Sequence, residues 1–89
     1  MTIATNKINV TSGQATALHD TAEQLTTQIV TVKNVGGSTV YIGGPDVTPG
    51  NGFELAANEI RDITVRGTDV LYARVAGSPV SANVLVVGD

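Results

Sequence analysis

The sequence contains no cysteine, and this absence excludes several kinds of small protein at once. Without sulfur the chain cannot be a disulfide-stapled secreted scaffold, a cysteine-ligated zinc module or a thiol enzyme. His19 is the only histidine, so no cluster of imidazoles has metal-ligand spacing. Asp46 and Asn51 offer oxygen atoms that calcium could use, but both are typical turn residues. We therefore predict no metal, no cofactor and no enzymatic activity.

Charge is sparse as well. Charged residues make up 15% of the 89 residues, the net charge is -3, and the five lysines and arginines stand singly. A nucleic-acid-binding domain needs a basic stripe that releases counterions from phosphates, so we predict no nucleic-acid partner. The longest apolar runs are about four residues, against roughly 18 for a membrane span, and the first residues do not resemble a secretory signal. We predict no membrane partner.

Aromatic residues are only 3% of the chain, so the core must be built from valine, isoleucine, leucine and alanine. Valine and threonine dominate, and these β-branched residues favour strands over helices. Gly, Asn, Asp and Pro separate short apolar segments, as expected for turns between strands. The predicted strands are Lys7 to Val10, Ala15 to Leu18, Leu25 to Val35, Thr39 to Ile42, Phe53 to Leu55, Ile60 to Val65, Val70 to Val75 and Ala82 to Val87.

The fold class that follows is all-β. We predict a small antiparallel β-sandwich, jelly-roll-like, with about seven to eight short strands, in which residues 1–89 form a single domain. Residues 1–6 are either an N-terminal arm or an added edge strand.

One segment allows a second interpretation. Ala15, Leu18, Ala22 and Leu25 fall at helical spacing, which would make residues 14–25 an amphipathic helix. The poor helix formers in this segment favour a strand, a loop and the next strand instead. In that interpretation His19 lies in the loop with a solvated side chain.

Two segments are apolar at every position: residues 70–73 and 84–87. A strand in a sandwich normally turns one face to water, so apolar residues on both faces indicate a second covering surface. Loops of the same domain could provide the cover. The alternative cover is the surface of a partner, and for this reason we also predict a homo-oligomer.

The middle of the chain carries a recognisable pattern. It consists of Thr31-Val32-Lys33-Asn34, the long run from Val40-Tyr41-Ile42-Gly43-Gly44 through Asn51-Gly52-Phe53 to Leu55, and the late Leu71-Tyr72-Ala73. Over about residues 30–75 this pattern is similar to small β-sandwich virion proteins of tailed double-stranded DNA bacteriophages. The resemblance implies a capsid decoration protein or a minor head or tail protein, with a structural and binding role.

The expected function is therefore that of a decoration (cement) protein, which binds the outer head surface and stabilises junctions between capsomers. Its expected partners are the major capsid protein or another virion protein, together with further copies of itself, a trimer being favoured. The expected location is the virion, after synthesis in the host cytoplasm. The candidate contact residues are those of the N-terminal segment and the long loop: Thr2, Ile3, Ala4, Thr5, Pro45, Asp46, Val47, Pro49 and Asn51.

Two other classes of function stay open at this point. A tail, baseplate or fibre component would use the same kind of domain for assembly or for binding a host surface. A cellular ligand-binding module would need a concave pocket with convergent polar groups, which the sequence does not reveal.

Overall fold

The computed structural model describes residues 2–19, 27–66 and 69–88, which form eight β-strands and no helix. The strands are β1 (Thr2–Val10), β2 (Thr16–Ala17), β3 (Thr27–Asn34), β4 (Val40–Gly43), β5 (Phe53–Leu55), β6 (Ile60–Arg66), β7 (Tyr72–Val75) and β8 (Val80–Gly88). All eight coincide with predicted strands, and the largest difference is that β1 begins five residues earlier than expected.

The strands form two four-stranded antiparallel sheets. Sheet A has the order β1-β8-β3-β6, and sheet B has the order β2-β7-β4-β5. Each sheet contains two nested pairs, β1 with β8 and β3 with β6 in sheet A, and β2 with β7 and β4 with β5 in sheet B. This is a long hairpin rolled up on itself, which is the arrangement of a jelly roll. The prediction of an all-β antiparallel sandwich is confirmed.

The core lies between the sheets and is made mostly of valine. Along β3, Val30, Val32 and Asn34 are buried while the residues between them face outwards, as the two-residue period of a strand requires. The buried apolar side chains are Val10, Leu18, Val30, Val32, Val40, Ile42, Leu55, Leu71, Ala73, Val75, Val80, Ala82, Val84 and Val86. Aliphatic residues fill the space that aromatic residues occupy in many domains of this size.

The first strand is part of sheet A along its whole length. Its register with β8 runs without interruption from Thr2 opposite Gly88 to Val10 opposite Val80. Of the two interpretations for residues 1–6, the structure has the edge strand for residues 2–6, and residue 1 lies outside the described part. The N-terminal segment is therefore one of the elements that close the sandwich.

The region around His19 differs from the expected solvated loop. Leu18 donates its backbone N–H to the carbonyl of Leu71 at 2.9 Å, so the pairing of β2 with β7 continues past Ala17. His19 is buried, and its Nε2 accepts the backbone N–H of Leu71 at 3.0 Å. The expected solvation of His19 is wrong because the chain continues along the segment that precedes β7 and buries the imidazole against the backbone of Leu71. Residues 14–19 are not helical, and the remainder of the alternative helix lies outside the described residues.

Asn34 joins three parts of the sandwich through its buried side chain. Its Oδ1 accepts the backbone N–H of Gly36 at 2.9 Å, which closes the turn after β3. Its Nδ2 donates to the carbonyl of Ser38 at 2.7 Å and to that of Leu55 at 2.9 Å. The side chain thus fixes the entry to β4 and the end of β5 relative to β3.

Candidate functional site: the outer face of sheet A

The outer face of sheet A carries three rows of side chains that the strand register aligns across all four strands. In the order β1, β8, β3, β6, the first row is Ile3, Val87, Ile29 and Thr64. The second row is Thr5, Leu85, Thr31 and Asp62. The third row is Lys7, Asn83, Lys33 and Ile60. Residues that are far apart in sequence therefore form one continuous surface.

One end of this surface is apolar. Ile3 is 66% exposed, Ile29 is 46% exposed, and Val87 lies between them on the neighbouring strand. We call these three residues the apolar row. Leu85 extends it into the second row at 37% exposure. The apolar run 84–87 seen in the sequence thus has Val84 and Val86 in the core and its other two residues on the outer face.

The other end of the surface is basic. Lys7 and Lys33 flank Asn83 at this end, beside Ile60 on β6, whereas Arg66 lies on the same face at the opposite end of β6, beyond the apolar row and opposite Thr27. The acidic residue on the face, Asp62, accepts the hydroxyl of Thr31 at 2.8 Å. Three cations and one anion give this face a formal charge of +2, although the whole chain carries -3. An acidic partner surface would complement this charge.

A shallow depression lies over the second and third rows of this face. The side chains of Thr5 and Thr31 supply hydroxyl groups, Leu85 supplies apolar surface, and Lys7 and Lys33 border the depression. Its openness to solvent suits a protruding segment of another protein more than an enclosed small molecule.

The outer face of sheet B is different in character. Of the apolar run 70–73, Leu71 and Ala73 are buried, and Tyr72 is the residue of the run that faces outwards within β7. Tyr41 lies on the same face beside Arg74, whose Nε donates to the carbonyl of Ser12 at 3.0 Å. The aliphatic side chains that face outwards therefore come from the run 84–87 in β8, where Leu85 and Val87 lie on the outer face of sheet A.

The candidate contact residues in the long loop do not join the outer face of sheet A. The loop connects β4 to β5 in sheet B, and the exposed candidates in it are Pro45, Asp46, Pro49 and Asn51. Val47 is 3% exposed, so it supports the loop from within and is not available to a partner. Asn51 uses its Oδ1 to accept the backbone N–H of Thr48 at 2.8 Å, which is the role of a turn residue.

Gly52 has a steric role in this loop. Asn-Gly is typical of tight turns with a positive φ, but Asn58 is the one described non-glycine residue with a positive φ, at 67°. Gly52 is required for space, because a Cβ there would lie 2.6 Å from the Cβ of Tyr41. Close packing of the loop, not an unusual backbone angle, excludes a side chain at this position.

The candidates in the N-terminal segment divide between the two sides of β1. Ile3 and Thr5 belong to the outer face, whereas Ala4 lies opposite Val86, whose side chain faces the core. Thr2 pairs with Gly88 at the end of the strand. Sequence reasoning missed Ile29, Lys33 and the other residues of β3 on this face. The alternation along Thr27–Asn34 marks them as outward-facing, but only the register with β8 places them beside Ile3.

A second, smaller surface feature lies where β5 and β6 face each other at the open side of the sandwich. The guanidinium of Arg61 lies 4.9 Å from the centre of the Phe53 ring and 3.9 Å from a carboxylate oxygen of Glu59. Arg61 and Asp62 are neighbours of opposite charge in the sequence. Successive residues of a strand face opposite sides, so Arg61 and Asp62 do not share a surface.

No site for metal chemistry was found in the part of the chain that the structure describes. Within residues 2–19, 27–66 and 69–88, no group of three or more His, Cys, Asp or Glu side chains is placed to hold an ion. The same residues include no helix of the length and apolarity that a membrane span requires.

Comparisons with known proteins give a fold and no family. No protein-family model matches the sequence, and no curated protein matches it. Among solved structures, the chain is similar to one described as "Bacillus endospore appendages form a novel family of disulfide-linked pili", with a TM-score of 0.59 and 18% identity. The match covers 98% of this chain and 87% of the other. At this identity the likeness shows the shared β-sandwich alone.

Proposed function

We propose that this protein is a structural protein of a phage particle, and specifically a capsid decoration protein that binds the outer head surface through the outer face of sheet A. The observation that carries the proposal is the character of that face. It is apolar at Ile3 and Ile29, basic at Lys7 and Lys33, and belongs to a chain of net charge -3. Concentrating positive charge and exposed aliphatic surface on one face gives the protein a directional means of binding.

The mechanism in this proposal is mechanical. The apolar row loses contact with water when it docks, which supplies affinity, and the lysines select an acidic surface and fix the orientation. A compact domain that touches two capsid subunits adds contacts across their junction. Two weak contacts presented on one rigid body bind more tightly than either alone, because the second one forms at high effective concentration.

The sequence resemblance supports the class of protein, and the structure explains what its pattern does. The resembling residues, about 30–75, span β3 to β7. Asn34 ties strands together, Gly52 lets the long loop pack, and Leu55 is fully buried. These are mainly folding devices. They support membership of a family of small β-sandwiches, while the binding face includes residues from β1 and β8 outside the pattern.

A tail, baseplate or fibre component is the second candidate. The fold that this chain shares with a protein from disulfide-linked pili favours it, since a pilus is an assembly of repeated subunits. This chain has no cysteine, so any such assembly would depend on non-covalent contacts. Self-association belongs to both candidates.

The test is to add purified protein to phage heads that lack it and to image the particles by electron cryomicroscopy. Regular density on the shell supports decoration. Density on tails with bare heads supports the second candidate and contradicts the first.

A pair of charge variants tests the binding face itself. Replacing Lys7→Gln and Lys33→Gln together should weaken head binding about three- to tenfold at low salt, since each exposed charge contributes up to about 1 kcal/mol. The matched control is Gln14→Glu with Ala57→Glu, two exposed positions outside the face that lower the net charge by the same amount. Equal weakening by both pairs would mean that net charge matters and this face does not.

A further inference from the structure

The two sheets have four edge strands, and three of them are poorly suited to pairing with another chain. β2 has two residues and β5 has three, so neither offers a useful length of backbone. β6 is longer but carries Arg61, Asp62 and Arg66. Short edges and charged edges are the usual protections against edge-to-edge pairing.

The fourth edge, β1, lacks these protections. It has nine residues, contains no proline, and pairs with β8 in an unbroken register with no bulge. Residues 3–7 are exposed, and Lys7 is the one charged residue in the strand. In an antiparallel ladder alternate residues turn their N–H and C=O groups away from the neighbouring strand, so β1 presents a row of backbone donors and acceptors on its open side.

We propose that β1 binds β1 of a second copy of this chain, antiparallel, about a two-fold axis at Asn6. In this register Lys7 of each copy lies opposite Thr5 of the other, and Ile3 lies opposite Asn9. The strand is self-complementary in this arrangement because no like charges meet. Centring the pair on Lys7 instead would place two ammonium groups opposite each other, and centring it on Thr5 would pair a shorter stretch.

The dimer would join two copies of sheet A into one eight-stranded sheet. Residues directly opposite each other in an antiparallel pair point to the same side, so both outer faces would lie on one side of that sheet. Two apolar rows and two basic ends would then be presented together. This consequence rests on the proposed function, where it supplies the bivalent contact with the capsid, but the strand pairing does not depend on that function.

Substitution of Thr5 with charges of opposite sign tests the register. Thr5→Lys places a lysine opposite Lys7 of the other copy at two symmetric positions, whereas Thr5→Glu places a carboxylate there. Sedimentation at low salt should show the wild type as a dimer at tens of micromolar. Thr5→Lys should weaken dimerisation at least tenfold, and Thr5→Glu should strengthen it about three- to tenfold.

The charge-reversed double variant is the decisive control. Thr5→Lys with Lys7→Glu restores an opposite-charge pair across the axis, so dimerisation should recover to at least the wild-type level. Circular dichroism of each variant should show the same strand content, which separates loss of pairing from loss of folding. Hydrogen exchange of alternate amides in β1 should slow as the protein concentration rises.

Three results would overturn the pairing. One is a wild type and a Thr5→Glu variant that both remain monomers at about 100 μM. Another is a trimer whose mass is unchanged by either Thr5 substitution. The third is a dimer that the double variant fails to restore. Head binding is measured separately, so a protein that dimerises without binding heads contradicts the proposed function and leaves the strand pairing intact.

Discussion

Asn34 is the residue on which most of the local connections depend. It is fully buried, and its amide makes three hydrogen bonds, to Gly36, Ser38 and Leu55. Leaving buried partners unsatisfied costs more free energy than the bonds themselves add. The same polar group that makes the core specific is therefore a point of weakness to substitution.

Asn34→Ala should lower the free energy of unfolding by about 2–3 kcal/mol, because the buried carbonyl of Leu55 and the part-buried Ser38 carbonyl and Gly36 N–H lose their partner. Urea denaturation followed by circular dichroism measures this change. Asn51→Ala is the control, since the Asn51 side chain makes a similar turn hydrogen bond at the surface and should cost less than about 1 kcal/mol. Equal losses in the two variants would contradict the role given to Asn34.

At the scale of elements, the long loop between β4 and β5 is held by packing. Val47 is buried beneath it, and the hydrogen bonds of Asn51 and Gly52 to Thr48 shape its return towards β5. This explains why a segment with two prolines and several glycines can be ordered without a regular strand. The buried side chain of Val47, which belongs to the loop itself, holds the loop in place.

Gly52→Ala should destabilise the protein by about 1–3 kcal/mol, because the new methyl group would approach Tyr41 at 2.6 Å and Val47 at 2.9 Å. Gly44→Ala in the same loop is the matched control. No atom lies within 4 Å of a Cβ at Gly44, so its stability should change by less than about 0.5 kcal/mol. Thermal unfolding of the two variants compares them directly, and a Gly44 variant as unstable as the Gly52 variant would refute the steric explanation.

For the whole molecule, the nested order of strand pairs governs how the chain folds. β1 pairs with β8 across almost the whole sequence, and of the pairs only β4 with β5 is made by consecutive strands. Most native contacts therefore close long loops, whose entropy must be lost before the contacts form.

Refolding should be slow for a chain of this size, taking milliseconds to seconds, as for other all-β domains with distant pairings. Stopped-flow tyrosine fluorescence can follow it, since the chain has two tyrosines and no tryptophan. The matched comparison is a helical domain of similar length under the same conditions. Refolding within microseconds would show that local contacts dominate.

The sequence by itself determined the strands, the turns between them and the all-β class, because β-branched residues and breakers such as Gly36 act over a few neighbouring positions. The turn closed by Asn34 is local in the same way, since the side chain bonds to a residue two positions ahead. The pattern marked 84–87 as unusual because apolar residues at successive positions must face both sides of a strand.

Only the tertiary structure decided which residues form a surface together. Ile3, Val87 and Ile29 become neighbours through the registers of β1 with β8 and of β8 with β3, and no local feature of the sequence fixes a register between distant strands. A distant partner likewise buried His19, which the sequence had left at the surface and whose Nε2 accepts the backbone N–H of Leu71. Periodicity shows that a residue faces one side of its strand, but the assembled sheets decide whether that side meets the core or water.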